Sequence, residues 1–336
     1  MTGRERVACT LAGESIDRLP VLPILHTGFA TILGVPLGDF FSSAETMARV
    51  MVEGCREFGF DGVQLSSGVT AEAEAFGARV EQPADGPPIL REYLLADLRR
   101  LDALRAIDPS QGGRMPLFFE AVARVVSSLG DEGFVLATLR GPLLAAAQLR
   151  GVEQILLDTI DHPREVEAIL DFTAETALHL GKQLLATGAH GLILGEATCS
   201  PNFISPALYR RLVLPRHRAL IGRLKDAGWQ AVGIHICGDI TPIIEDIIST
   251  GADFMDVDYQ VTPEAALARA CGRIALRGNL DPASLLRFGT PEAIETVTAA
   301  LRASVTGTQW ILSTGCDIPP ATPAANVRAF ATAARS

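Results

Sequence analysis

Eight short apolar runs punctuate the chain, each dominated by Val, Ile, Leu or Phe, and most are followed by stretches of helical period. They fall at Leu19–His26, Gly62–Ser67, Phe134–Gly141, Gly191–Ala197, Ala231–Gly238, Phe254–Tyr259, Ile274–Leu280 and Trp310–Ile318. Runs that are apolar at successive positions suit parallel strands buried on both faces. Between them, Val166, Ile169, Leu170, Ala177, Leu180 and Leu184 recur near the 3.6-residue period. A helix is therefore expected after Asp161-His162-Pro163, with Asp161 as its N-cap, ending near Gly188. A second is expected from Ser205-Pro206 to about Asp226, kinked at Pro215. Pro242, Pro263, Pro282, Pro291 and Pro323 sit where further helices should begin. Strand–helix alternation of this kind predicts a (β/α)8 TIM barrel, with a doubly wound sheet as the competing arrangement. Residues 1–336 read as one domain, in which residues 68–133 form a helical excursion packed over the barrel.

Composition narrows the function classes. Hydrophobic residues make up 48% of the 336 and charged residues 20%, so a large core is available. The net charge of −10 argues against a general nucleic-acid binder, which needs a basic face for phosphates. No uncharged apolar run is long enough to span a bilayer, and the charged start shows no signal peptide, so a cytoplasmic protein is expected. Six cysteines are too few for a disulfide scaffold and are expected as reduced thiols, a subset of them available as ligands.

The sharpest chemical signal is Gly233-Ile-His-Ile-Cys-Gly-Asp239. Period-two alternation puts His235 and Cys237 on one face at the C-terminal end of an expected strand, where barrel enzymes place their chemistry. Cys316 ends the last expected strand at the same rim. His235, Cys237 and Cys316 offer one nitrogen and two sulfurs, the three-ligand set of a catalytic zinc with an open fourth position. Core packing of the two thiols is the competing account. Cys199 near the same rim is a further candidate, whereas Cys9, Cys55 and Cys271 read as core or surface thiols. Acids stand at five strand ends: Glu196, Asp239, Asp258, Asp281 and Asp317. Asp239 and Asp281 fit helix caps. Glu196 and Asp258 are the candidate catalytic acids, as a fourth ligand or a substrate contact. Among the histidines other than His235, only His26 is well placed for the mouth.

At this point the chain resembles the uroporphyrinogen decarboxylase superfamily along nearly its whole length. The matching stretches are Asp17-Arg-Leu-Pro-Val-Leu-Pro23, Glu57-Phe-Gly-Phe-Asp-Gly-Val63, Glu72-Ala-Glu-Ala-Phe-Gly-Ala78, Arg140-Gly-Pro, Gln148-Leu-Arg-Gly151, Ile204-Ser-Pro-Ala-Leu-Tyr209, His235-Ile-Cys-Gly238, Gly278-Asn-Leu-Asp-Pro282 and Gly315-Cys-Asp-Ile-Pro-Pro320. The resemblance implies a distorted (β/α)8 barrel. Within the superfamily it is to the corrinoid-linked methyltransferases, whose zinc motif of His-x-Cys and a distant Cys corresponds to His235, Cys237 and Cys316. It implies Zn2+, a corrinoid (methylcobalamin) carried by a partner protein, and a small-molecule methyl donor or acceptor. His26 and Tyr259 are the candidate cofactor contacts, and Leu25 and Phe29 are expected beside His26 as apolar walls of the cleft. Trp310 and Tyr259 would suit an aromatic or apolar methyl donor, though core packing accounts for both equally well. The decarboxylase itself resembles the chain less. Its arginine-rich segment after the first strand corresponds here to Leu25–Leu33, which has no arginine to clamp a polycarboxylate. The run Asp256-Val-Asp-Tyr-Gln-Val261 also departs from the charged pattern of archaeal coenzyme M methyltransferases, which leaves the methyl acceptor open.

Overall fold

Seven of the eight expected strands pair in one parallel, curled sheet in the computed structural model, which describes residues 1–307 and 309–336. In chain order they are β1 (Gly62–Ser66), β2 (Phe134–Arg140), β3 (Gly191–Gly195), β4 (Val232–His235), β5 (Phe254–Val257), β6 (Ala275–Leu280) and β7 (Trp310–Thr314). Each pairs with its sequence neighbour. Nearly every strand residue is buried, because helices cover one face and the inner core fills the other.

The expected strand Leu19–His26 does not form a ladder. It makes a single parallel bridge, Val21 to Leu312, with Leu22 N–H donating to Leu312 O at 3.0 Å. Pro20 and Pro23 have no N–H, so regular pairing is interrupted on both sides of Val21. The Val21 N–H donates to the Asp61 carboxylate at 2.7 Å, and Val21 O accepts from Asp61 N–H at 2.9 Å. This segment thus touches β7 on one side and the residue before β1 on the other.

Six strands end short of their expected limits at the C-terminal side: β1 at Ser66, β2 at Arg140, β3 at Gly195, β4 at His235, β5 at Val257 and β7 at Thr314. Cys237, Asp258 and Cys316 therefore stand on the loops just beyond the strands. Between β1 and β2 the excursion holds short helices and an antiparallel pair, Val80–Glu81 with Ile89–Leu90, folded across the Pro83–Pro88 patch. The helix Met115–Leu129 then returns the chain to the sheet.

Helix starts follow the prolines. Pro163 opens the helix Pro163–Ala186, but His162 rather than Asp161 occupies its N-cap. The Ser205 hydroxyl accepts from Leu208 N–H at 3.2 Å, a side-chain cap. Beyond it a π-turn, Tyr209–Val213, precedes Pro215. The missing N–H and ring of Pro215 disrupt the bond to the carbonyl four residues earlier and widen that turn. At the N-terminal end of the sheet, Leu22, Leu136, Ile193, Phe254, Ala275 and Ile311 pack together, with Val7 of the first helix (Gly3–Ala12) joining them.

Candidate metal centre

His235 is the last residue of β4, and the chain turns immediately after Cys237 because Gly238 takes a φ of +89°, a conformation that favours glycine. That turn brings the Cys237 sulfur back towards the imidazole. His235 Nε2 lies 3.2 Å from Cys237 Sγ and 3.8 Å from Cys316 Sγ, and the two sulfurs are 3.7 Å apart. Zn–N and Zn–S bonds of about 2.0 and 2.3 Å in tetrahedral geometry require ligand atoms roughly 3.3–3.8 Å apart. The donor set, one imidazole nitrogen and two sulfurs, also matches the softness zinc favours. The residues therefore fit a zinc ion both in spacing and in chemistry.

Behind the imidazole stands a partner that sequence reasoning passed over. Asp256 Oδ2 is 2.7 Å from His235 Nδ1, which fixes the ring and leaves Nε2 for the metal side. Asp256 is itself held by Arg277, whose Nε and Nη2 donate to its two oxygens at 2.7 Å each. Both are buried, and they occupy matching positions of β5 and β6. The clue was an Asp and an Arg on neighbouring expected strands, but register is not visible in a single sequence.

The electrostatics suit metal exchange for protons. Burial opposes charge on His235, yet the hydrogen bonds it donates to Asp256 and Cys316 outweigh it and raise its pKa to about 10. The hydrogen bond with Cys237 and the nearby imidazole bring Cys316 down to about 5, against the effect of burial. Cys237 is pushed up, by that same sulfur contact and by burial. A divalent cation bound by the trio would displace the protons that these three groups share.

The other sequence candidates are placed differently. Glu196 is fully buried and lines the same cavity, but its oxygens accept from Leu143 N–H at 3.1 Å, Leu144 N–H at 2.9 Å and His217 Nε2 at 2.9 Å. It anchors the start of the helix Pro142–Arg150, where a negative charge meets free N–H groups. Asp258 accepts from Gly238 N–H at 2.9 Å and Gln260 N–H at 3.0 Å, tying the loops after β4 and β5 together. Neither acid joins the group formed by His235, Cys237 and Cys316. Cys199 joins Glu196 and His217 in a separate, fully buried group, and burial and then Glu196 hold its thiol well above the usual range.

His26 lines the cavity, with Nδ1 3.4 Å from the Asp317 carboxylate and Nε2 buried without a hydrogen-bond partner among the described residues. Tyr259, in contrast, is 47% exposed and is not part of the cavity wall. Leu25 and Phe29 are core residues instead of walls; Phe29 packs against Phe58 and Phe60, and Ile24 and Thr27 line the cavity in their place. Trp310 is buried at the start of β7 with its indole N–H on Gly278 O at 2.9 Å, so packing accounts for it. Asp281 caps a helix, accepting from Ala283 and Ser284 N–H, as expected, whereas Asp239 accepts from Thr241 N–H one residue ahead of the N-cap Ile240.

The cavity that opens on the three ligands has a volume of about 360 Å3, and its walls are mainly apolar, including Ile24, Phe41, Val69, Pro88 and Leu144. Arg140 is the one arginine among its lining residues.

Residues 2–336 match the family described as Uroporphyrinogen decarboxylase (URO-D). The chain is similar to the methylcobamide:CoM methyltransferase MtbA of Methanosarcina mazei, 27% identical over 339 residues, covering 100% of this chain and 98% of that one. It is also 27% identical over 342 residues to the uroporphyrinogen decarboxylase of Synechococcus sp. (strain CC9605), covering 96% and 94%. Among solved structures, a methyltransferase from Methanosarcina mazei superposes with a TM-score of 0.91 at 23% identity, covering 100% of this chain and 98% of that one, a likeness of fold. With the match running from the second residue to the last, the chain belongs to the uroporphyrinogen decarboxylase family.

Proposed function

We propose that the chain is a zinc-dependent methyltransferase that moves a methyl group between a corrinoid protein and a thiol or a methylated small molecule. The observation that carries this is the spacing of His235, Cys237 and Cys316 at the wall of one cavity. Overall identity does not separate the two activities named among the relatives, since both kinds reach 27%. The site does. A decarboxylase acting on a polycarboxylate needs cations, and the cavity presents one arginine, which already faces Glu72 at 3.9 Å.

His235, Cys237 and Cys316 would hold the metal. Zinc there would supply Lewis acidity to a thiol sulfur or to the heteroatom of a methyl donor. Asp256 keeps the imidazole in one tautomer and one orientation, and Arg277 keeps Asp256 from turning away. The apolar walls exclude water from the space where the methyl group changes partner and hold the reacting atoms near attack distance. The open end of the cavity is the side from which a partner protein would present its corrinoid. In the same reading residues 1–336 act as one domain, the Val21 bridge completes an eight-stranded barrel, and the six free cysteines favour a reducing, cytoplasmic setting.

The test combines metal analysis with methyl transfer. The protein should carry about one zinc per chain. It should also demethylate free methylcobalamin in the presence of a thiol, or methylate cob(I)alamin from an ether or thioether. Cys316→Ala should lose zinc and transfer together. Decarboxylation of uroporphyrinogen at an ordinary enzymatic rate, with no methyl transfer, would overturn the proposal.

A further inference from the structure

Away from the ligand trio, the cavity has a polar wall on β1 and β2. Gln64 and Ser66 alternate on β1, Thr138 and Arg140 on β2, and all four line the cavity. Ser66 and Thr138 are register partners. The Gln64 amide rises to donate to Thr138 Oγ1 at 2.9 Å, while Arg140 Nη2 reaches back to Ser66 Oγ at 2.7 Å. Two long side chains from different levels of the sheet thus converge on one register pair. Gln64 Oε1, an acceptor, is buried and has no hydrogen-bond partner among the described residues, whereas Arg140 Nε faces the Glu72 carboxylate at 3.9 Å. Buried polar atoms are rarely left so, because their hydration is lost without replacement. An unused acceptor beside a guanidinium that is already ion-paired suits an uncharged donor, and a hydroxyl is the smallest such group.

Charge decides what such a group can be attached to. Arg140 is the cation of this wall, but the carboxylates of Glu72, Asp317 and Glu196 all act on it. Its charge is already opposed, so an anionic substrate would add a further negative charge to a site with no cation left for it. Gly195 shapes the same wall. It lies between Arg140 and His235 in register, and a Cβ there would stand 3.1 Å from Arg140 Nη1. Its bare backbone keeps the path between the polar wall and the ligand trio clear.

We propose that Gln64, Thr138 and Arg140 form a recognition subsite for an uncharged hydroxyl on the small molecule that exchanges its methyl group at His235, Cys237 and Cys316. This rests on the methyl-transfer reading, and it departs from a sulfonate-bearing thiol as the preferred partner. The hydroxyl donates to Gln64 Oε1 while the sulfur or ether end faces the ligand trio.

Three thiols differing only at the far end test it: 2-mercaptoethanol, ethanethiol and 2-mercaptoethanesulfonate. Their binding to the zinc-loaded protein is measured by calorimetry. The hydroxyl compound should bind about tenfold more tightly than ethanethiol, the scale of one buried hydrogen bond. It should also bind more tightly than the sulfonate. In Gln64→Leu, and independently in Thr138→Val, the ratio of hydroxyl to ethyl affinity should fall towards one. Equal binding of the first two thiols, tightest binding of the sulfonate, or a ratio unmoved in both variants would overturn the subsite. Methyl transfer from methylcobalamin is assayed alongside. Failure of transfer with all three, while the binding order holds, would remove the proposed reaction and leave the subsite standing.

Discussion

A histidine ligand is only as well placed as the group behind it. His235 has Asp256 at 2.7 Å on Nδ1, and Asp256 has Arg277 on both oxygens. Removing Asp256 would do two separate things. It would free the imidazole, and it would strand Arg277 as a buried, unpaired charge, which costs about 3–5 kcal/mol of stability. The single Asp256→Asn variant confounds them, so the informative comparison is with Asp256→Asn/Arg277→Gln, where no charge is stranded. Zinc affinity, read by competition with a chromophoric chelator, should fall about 10–100-fold in the double variant, the usual consequence of losing the group that orients a ligating histidine. Unchanged affinity would mean that packing alone orients His235. The fully buried Glu196 is a contrasting case. Its two oxygens accept from two backbone N–H groups and meet His217, so it also holds the start of a helix.

At the level of elements, the site is built from loops that begin where strands stop. β4 ends at His235, and Gly238 at φ +89° turns the chain so that Cys237 doubles back towards His235. The Gly238 N–H is pinned by Asp258 at 2.9 Å from the neighbouring loop, and a Cβ at this position would meet Ser200 Oγ at 2.9 Å. Gly238→Ala is therefore strained twice, by its backbone angle and by the approach of the loop after β3. It should lower stability by about 1–3 kcal/mol and weaken zinc binding with it, as measured by chemical denaturation and metal competition. Loss of stability with full zinc affinity would show that Cys237 is held by something other than this turn.

Across the whole molecule, pH acts on groups remote from the cavity as well as on the ligands. His190 accepts the Val135 N–H on Nδ1 at 3.0 Å, just before β3, and burial, helped by the charge of Arg4, lowers its pKa to about 4. In the unfolded chain it returns to its ordinary value of about 6.5. The folded protein therefore binds fewer protons than the unfolded one between those values. The stability that neutral His190 contributes is full above about pH 6.5 and is lost as pH falls towards about 4. The denaturation midpoint should fall over that window, and His190→Asn, which keeps an acceptor but cannot titrate, should flatten the fall. An identical slope in both proteins would place the pH sensitivity elsewhere.

Local chemistry made much of this architecture legible from the residues alone. Parallel strands write themselves as continuous apolar runs, and seven of the eight expected runs form the sheet. Prolines mark helix starts because they tolerate the first turn, and Pro163, Pro263 and Pro291 each occupy one. His-x-Cys needs only a strand end to aim both groups the same way, and the distant Cys316 is legible because it follows the last apolar run at the same rim. Long-range geometry supplied the remainder. Whether Leu19–His26 pairs as a strand depends on prolines competing with neighbours 40 and 291 positions away, Asp61 and Leu312. Whether Asp258 or Asp256 serves the histidine depends on which of the two acids stands in register with Arg277 of β6. Leu25 and Phe29 read as cavity walls from their position beside His26, yet Leu25 is buried in the core and Phe29 is drawn into a cluster with Phe58 and Phe60 from another helix and loop. In each case one sequence records which groups could be satisfied, and packing between distant segments settles which of them are.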